Sequence, residues 1–529
     1  MRLLPTTLLA LVVSGASSQN VVQFNVTKGL PGIHLGSVPS LARRGTHSEQ
    51  LINSISGGGY YVQVKVGTPA QTMTMLLDTG SSDAWVLSHE ADLCTDRDRQ
   101  DLYGMPCTDT FNPDKSSTTK MIKPDGFKIT YLDGGTASGD YISDDFSIGG
   151  TTIKSLQMAY VTKAVRGTGI LGLGFSISER AATKYPNIID EMADQGLIGS
   201  KAYSLYLNDR RTDSGSLLFG GIDTDKFIGP LSILPLYKPA DGNYSSFEID
   251  FTAVSITHTN GTRLSIPTTI LNHPAPAVLD SGTTLSYLPD KMTQTIYSAL
   301  GAIHDTDLGM TLIDCAYLTN PTAHFNLTFT FTPTTKITVP VWELVLDILP
   351  QSYPPPPHFP TQNHRPCVFG IQSTALFART GTIKTGSGNG GGGGGRGGGS
   401  NSAAINFTLL GDTFLRSAYV VYDLSHYQIG LAQANLNSTT STVVELVSGS
   451  GTTSSLPKVT GVTAQQTTFT PTSTARPNGA AGGGHGNEEN AGARAQRGVL
   501  GLRSGFGEVL GVVMVTGLMT VLGGALIAL

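Results

Sequence analysis

Asp78 and Asp280 are the residues on which a chemistry can be built. Each closes an apolar run and opens a tight turn of small residues: positions 73–86 read MTMLLDTGSSDAWV and positions 277–289 read AVLDSGTTLSYLP. A carboxylate at a strand end can be aimed by the backbone N–H groups of the turn that follows. Gly80 and Gly282 let backbone come close to each carboxylate, where a Cβ would obstruct it. If the two turns meet about a pseudo-twofold axis, the carboxylates lie about 3 Å apart and cannot both ionise. One then serves as general base toward water, while its protonated partner donates to a substrate carbonyl. A single Asp-Thr/Ser-Gly is an ordinary turn; the repetition two hundred residues later carries the signal.

Composition narrows the setting for such a pair. Charged residues are 14% of the chain and the formal net charge is −5, so no broad basic field invites nucleic acid. Abundant Gly, Ser and Thr favour strands, turns and linkers. At 529 residues the chain is too long for one ordinary core and ample for two lobes plus tails. The four cysteines, Cys94, Cys107, Cys315 and Cys367, show neither Cys-x-x-Cys nor Cys/His metal spacing. Two disulfides are their natural reading in an exported chain, and no metal or other cofactor is implied. The eleven histidines form no metal-binding pattern. The glycines of 381–400 lack the preceding strand and Lys-Ser/Thr ending of a phosphate loop.

The segments that must position the two turns read mostly as strands. Positions 60–67, YYVQVKVG, alternate Val62, Val64 and Val66 with Gln63 and Lys65, the period of a half-buried strand. Positions 71–77 form a second strand delivering Asp78. Positions 127–139, FKITYLDGGTASG, predict a hairpin with Tyr131 and Asp133 near its tip. Positions 170–175 and 409–424 are buried apolar runs broken by glycine. Cys94 and Cys107 bracket a polar loop. Helices are predicted over 187–197, capped by Asn187, and over 289–300, capped by Asp290. The strand pattern restarts near Leu231. Positions 354–357 are a rigid polyproline piece, and 381–400 a floppy surface insertion.

The two ends read as export and anchoring signals. Positions 1–18 have an early Arg2, an apolar run and small residues, as in a signal peptide. Positions 19–44 end in Arg43-Arg44 and read as a propeptide cut after Arg44. Positions 437–490 are rich in Ser, Thr and Gly and predict a disordered, O-glycosylated stalk. The final 21 residues carry no charge and no basic flank, so 491–529 reads as a signal exchanged for a glycolipid anchor, with a retained membrane span as the alternative. Asn490-Ala491-Gly492 fits the attachment site best, with Asn478 the weaker candidate. Sequons at Asn25, Asn243, Asn260, Asn326, Asn406 and Asn437 suit an exported chain.

With both Asp turns in place, positions 60–432 resemble a pepsin-family aspartic protease, most closely the fungal glycolipid-anchored yapsin group. The resemblance implies an all-β, bilobal fold with pseudo-twofold lobes, expected at 45–230 and 231–436, around a deep cleft. It makes Asp78 and Asp280 the catalytic pair, hydrogen-bonded by Ser81 and Thr283. Ile170-Leu171-Gly172 and Leu409-Leu410-Gly411 match the elements that support each Asp loop. Tyr131 matches the flap tyrosine that closes over bound peptide, and Trp85 the tryptophan behind it. Cys94–Cys107 and Cys315–Cys367 match two family disulfides; a third, small-loop bridge has no cysteines here. An acidic residue at Asp133 is associated in fungal relatives with accepting Lys or Arg before the cleaved bond, while a turn-forming aspartate is the plainer reading. Peptide or protein substrates, pepstatin-type inhibitors, an acidic optimum and a monomeric chain are implied. The alternatives are a catalytically silent cell-wall protein on the same fold and a soluble secreted protease with a retained span.

Overall fold

Val22 and Val26 are buried and Gln23 and Asn25 exposed in the first strand, Val22–Lys28 (β1), and the same alternation runs through Tyr60–Val66 (β2). In the computed structural model, residues 20–28, 59–319, 325–376, 407–447 and 456–465 are described, apart from gaps at 104–105, 133, 213, 240, 259–261, 268–274 and 361–363. Further strands in the first half are Gln71–Asp78 (β3), Ala84–Leu87 (β4), Lys120–Thr130 (β5), Thr136–Ile148 (β6), Thr151–Ala164 (β7), Gly169–Gly172 (β8), Ala202–Tyr206 (β9) and Ser214–Phe219 (β10). They join one 13-stranded sheet in the order β5-β6-β7-β4-β8-β3-β2-β1-β10-β9, which continues into Ala418–Asp423, Gln428–Ala434 and Phe227–Pro235. Smaller sheets of five, four and four strands carry most of the second half. The fold is all-β.

A topological repeat places the two aspartates. In the first half β3 runs parallel to β8, pairing Asp78 with Gly172, and β4 runs antiparallel to β8. In the second, Ala275–Leu279 runs parallel to Thr408–Leu410, which pairs antiparallel with Ser286–Leu288 at Tyr287 and Leu409. Each aspartate therefore sits at the end of one flanking strand of a three-strand unit, with β8 or Thr408–Leu410 in the middle, whose apolar residues are buried. Tyr203 and Tyr422, from β9 and the strand Ala418–Asp423, stack at 4.8 Å beneath these units. Their hydroxyls donate to the carbonyls of Leu173 (3.1 Å) and Leu279 (3.5 Å), tying the central sheet to both Asp loops.

Both disulfides are formed, Cys94–Cys107 and Cys315–Cys367. The expected plain loop between the first pair instead holds short helices, Asp92–Thr95 and Arg97–Tyr103. Asn187 caps the helix Ile188–Asp194 in a capping box with Asp190. Asp290 does not cap the helix Asp290–Leu300: Pro289 holds the cap position with no side-chain bond, and Asp290 instead accepts from Ser373 Oγ and Gln294 Nε2.

Two expected boundaries differ from the structure, and the expected propeptide contains a strand. Phe227–Pro235 runs through the expected lobe boundary at 230, because this strand pairs with the C-terminal Gln428–Ala434 across the central sheet. Strand β1 lies inside the expected propeptide, yet it sits mid-sheet, six residues in register with β10 and two with β2. The Arg43-Arg44 pair, the signal segment and the insertion 381–400 lie outside the described residues. Finally, the expected stalk does not begin at 437. Val443–Glu445 pairs with Gly221–Asp223, Pro230 and Ile228 bridge to Thr460 and Val462, and Leu446 and Leu456 are buried. A few well-spaced apolar residues dock this Ser/Thr-rich stretch despite its composition.

Burying two leucines contributes about 3–6 kcal/mol. A chain ended at Leu436 should therefore melt well below one ended at Gln465 in a thermal unfolding scan, and equal midpoints would contradict the packing.

Candidate active site

Met73, Met75 and Leu77 of β3 are buried, which drives Asp78 to the inner end of its strand; Ala277 and Leu279 do the same for Asp280. The turns that follow interlock. Thr79 Oγ1 donates to the Leu279 carbonyl at 2.9 Å and accepts from Ser281 N at 2.9 Å. Ser281 Oγ donates to the Leu77 carbonyl at 3.0 Å and accepts from Thr79 N at 3.2 Å. Each turn thus reaches into the strand of the other, and the four bonds are related by a local twofold.

The carboxylates are held in the same paired way. Asp78 accepts from Gly80 N at 2.9 Å and Ser81 Oγ at 2.5 Å. Asp280 accepts from Gly282 N at 2.8 Å and Thr283 Oγ1 at 2.6 Å. A Cβ at Gly80 would lie 2.6 Å from Asp280 Oδ1, and one at Gly282 would lie 2.3 Å from Asp78 Oδ1. The glycines therefore let each carboxylate sit against the opposite turn. Both aspartates are fully buried. Burial pushes the Asp78 carboxyl well above the carboxylate range, with the Asp280 charge adding to it and the Ser81 and Gly80 bonds opposing it. Burial also raises Asp280, against the bonds from Thr283, Gly282 and Asp78. Such a pair keeps one proton where an exposed pair would keep none.

The supporting elements close around this pair. The carbonyls of Asp78 and Leu410 accept from Leu173 N and Asp280 N. Gly172 and Gly411 are needed where backbone crosses: a Cβ would meet the Asp83 carbonyl at 2.6 Å in one case and the Thr283 carbonyl at 2.3 Å in the other. Tyr131 follows β5 at the hairpin tip, where Tyr131 N donates to the Gly135 carbonyl and Gly134 turns with φ of 82°. Its hydroxyl accepts from Trp85 Nε1 at 2.8 Å, and both rings are buried.

The structure thus gathers Asp78, Asp280, Gly80, Gly282, Ser81 and Thr283 into one network, with Tyr131 and Trp85 beside it. Asp133, Asn260, Asn406 and Asn490 lie outside the described residues. Asn25, Asn243 and Asn326 are exposed; Asn437 is half-buried, and its side chain bonds Asp209.

Five charged groups near the site were not expected. Asp83 is buried and accepts from the hydroxyls of Tyr141 (2.8 Å) and Tyr185 (3.0 Å) and from Arg180 N (2.8 Å). Glu179, also buried, accepts from Tyr185 N at 2.9 Å. Asp412, directly after Gly411, is buried, and its carboxyl is pushed up by burial and by the Asp280 charge against the pull of Arg416. Arg416 in turn pairs with Glu343 at 2.6 Å. The only sequence cue was position: Asp83 closes the DTGSSD run and Asp412 follows an apolar-apolar-Gly element.

A sequence profile of the eukaryotic aspartyl protease family matches residues 59–434. The "Probable aspartic-type endopeptidase opsB" of Aspergillus fumigatus is 35% identical over 393 residues, 73% of this chain and 71% of that protein. The Trichophyton verrucosum protein "Probable aspartic-type endopeptidase OPSB" is 32% identical over 87% of this chain and 85% of its own length. "Secreted aspartic protease 8" of Candida albicans is 31% identical over 75% and 81%.

Replacing Asp280 by Asn should lower peptidase turnover by at least about 10³-fold while leaving the melting temperature near that of the parent; retained turnover would exclude Asp280 from the chemistry. A pH effect on stability follows from the buried carboxyls. Burial raises Glu179 from 4.5 to about 9. A raised folded pKa means that its stabilising contribution is complete below pH 4.5 and is lost as pH climbs toward 9. Glu179→Gln should therefore flatten the fall in melting temperature between pH 5 and pH 9, measured by scanning calorimetry at a series of pH values.

Proposed function

The chain belongs to the eukaryotic aspartyl protease family and is an aspartic endopeptidase, and we propose that Asp78 and Asp280 share one proton and activate the water that cleaves its peptide substrates. The observation that carries this reading is the reciprocal Thr79–Ser281 lock, which has little purpose except to hold two carboxylates together against their repulsion. Both carboxyls are raised, mainly by burial, so the pair holds one proton between them: the protonated member is the acid and the ionised member the base. The ionised carboxylate takes a proton from water as the water oxygen bonds to the scissile carbonyl carbon, and the protonated partner gives its proton to the carbonyl oxygen. The tetrahedral diol collapses as the carboxyl that took the water proton gives it to the amide nitrogen, the C–N bond breaks and a diol hydroxyl passes its proton to the other carboxylate, which leaves the pair with one proton. Tyr131 is the flap residue that covers the peptide during these steps, with Ser81 and Thr283 fixing the two carboxylates.

Location and selectivity extend this reading. The N-terminal apolar segment, the two disulfides and a relative named as secreted support export of this chain. We place it at the cell surface on a glycolipid anchor in the manner of the yapsin group, with the tether now starting after Gln465, not at 437. Processing after Arg44 would leave β1 held to the body without a covalent link, by strand pairing and by the burial of Val22 and Val26. Asp133 is the residue on which selectivity for Lys or Arg before the cleaved bond depends.

Cleavage of a quenched-fluorescence peptide library by the secreted protein should be pepstatin-sensitive, fastest in acid and lost as pH rises until the pair ionises fully. Cleavage that resists pepstatin or persists undiminished in alkali would exclude the mechanism. In the same library, Asp133→Ala should erase any preference for basic residues before the scissile bond; an unchanged preference would remove Asp133 from substrate selection. Treating intact cells with a phospholipase that cuts glycolipid anchors should release the enzyme, whereas a retained span would keep it on the membrane.

A further inference from the structure

The flap tyrosine touches a cation that neither its own hairpin nor the two Asp turns supply. The guanidinium carbon of Arg166 lies 5.0 Å from the centroid of the Tyr131 ring, and the two residues are 7% and 2% exposed. The ring is thus held at its hydroxyl by the Trp85 indole and on its face by a positive charge. That charge also offsets part of the upward push that burial and Asp78 exert on the Tyr131 hydroxyl.

Backbone links on both sides hold Arg166 there. Ala164, at the end of β7, pairs with Ala137 of the flap strand β6, and Val165 N donates to the Thr136 carbonyl at 3.3 Å. On the other side the Gly167 carbonyl accepts from Thr108 N at 2.9 Å, next to the Cys94–Cys107 bridge. Only glycine allows that approach, since a Cβ at Gly167 would meet the Pro106 carbonyl oxygen at 2.1 Å. The disulfide loop, the flap strand and Arg166 form one connected support. A guanidinium over an aromatic face is attracted by the ring quadrupole, more strongly when water is excluded.

We propose that Arg166 is a positioning residue for peptide hydrolysis: its guanidinium holds the Tyr131 ring against Trp85, so the flap residue is ordered before a peptide arrives. The proposal rests on the reading of Asp78 and Asp280 as the catalytic pair. Ordering the ring in advance removes a cost that binding would otherwise bear. Arg166 therefore acts on KM and leaves the proton transfers alone.

The test uses the secreted protein from the full chain carrying Trp342→Phe, which leaves Trp85 as its one tryptophan. Arg166→Leu should raise KM about tenfold with kcat nearly unchanged. The concentration of pepstatin-titrated sites should stay constant, and Trp85 emission should become easier to quench. Arg166→Lys should recover most of the loss, and Arg166→Leu should raise KM no further when Tyr131 is already Ala. Unchanged KM, a fall confined to kcat, no recovery with Lys, additivity with Tyr131→Ala, or loss of pepstatin-titrated sites would each overturn the role. If the parent shows no pepstatin-sensitive cleavage, the catalytic reading itself fails instead.

Discussion

Two carboxyl groups buried side by side repel each other and lose most of their hydration, and the structure around the site is arranged to hold them there nonetheless. The four bonds between the Thr79 and Ser281 turns do this directly, because each turn is fastened to the strand that carries the opposite aspartate. Separation of the halves would break all four and strand buried donors and acceptors, so the lock and the burial of Asp78 and Asp280 reinforce each other. Gly80 and Gly282 complete the arrangement by leaving no Cβ between carboxylate and turn. Tyr203 and Tyr422 fix the same loops from below.

Other carboxyls around the site share its burial. Asp83, Glu179 and Asp412 are all buried with carboxyls raised above their ordinary range, mainly by burial. Arg416 and Glu343 form a fully buried pair close to Asp412 and Tyr60, a place where removing one partner would leave an uncompensated charge. Carboxyls raised in this way favour the folded state most in acid, which is also where a half-protonated pair persists.

The parts of this design that were legible in the sequence are those encoded locally. An apolar run meeting Asp-Thr/Ser-Gly marks a strand end and a turn, and Asn187 marks a helix start, because the relevant bonds form within three residues. Tyr131 and Trp85 could be placed through a family resemblance, but their hydrogen bond joins residues 46 apart and no spacing rule shows it. Arg416 and Glu343, 73 residues apart, were invisible for the same reason. Strand β1 was hidden by a competing signal, since a dibasic pair downstream made the whole segment look disposable. Residues 437–465 were hidden by composition: a handful of apolar side chains docks them, too few to stand out among Ser and Thr. The segment between Cys94 and Cys107 looked like loop because its helices are short and polar.

The central claim is that Asp78 and Asp280 hold a single proton between them, and neutron diffraction from deuterated crystals at acidic pH tests it most directly. A shared proton predicts nuclear density for one deuteron on the pair, with the Ser81 and Thr283 hydroxyls donating to Asp78 Oδ2 and Asp280 Oδ2. Two deuterons, none, or carboxyl groups too far apart to share one would contradict it.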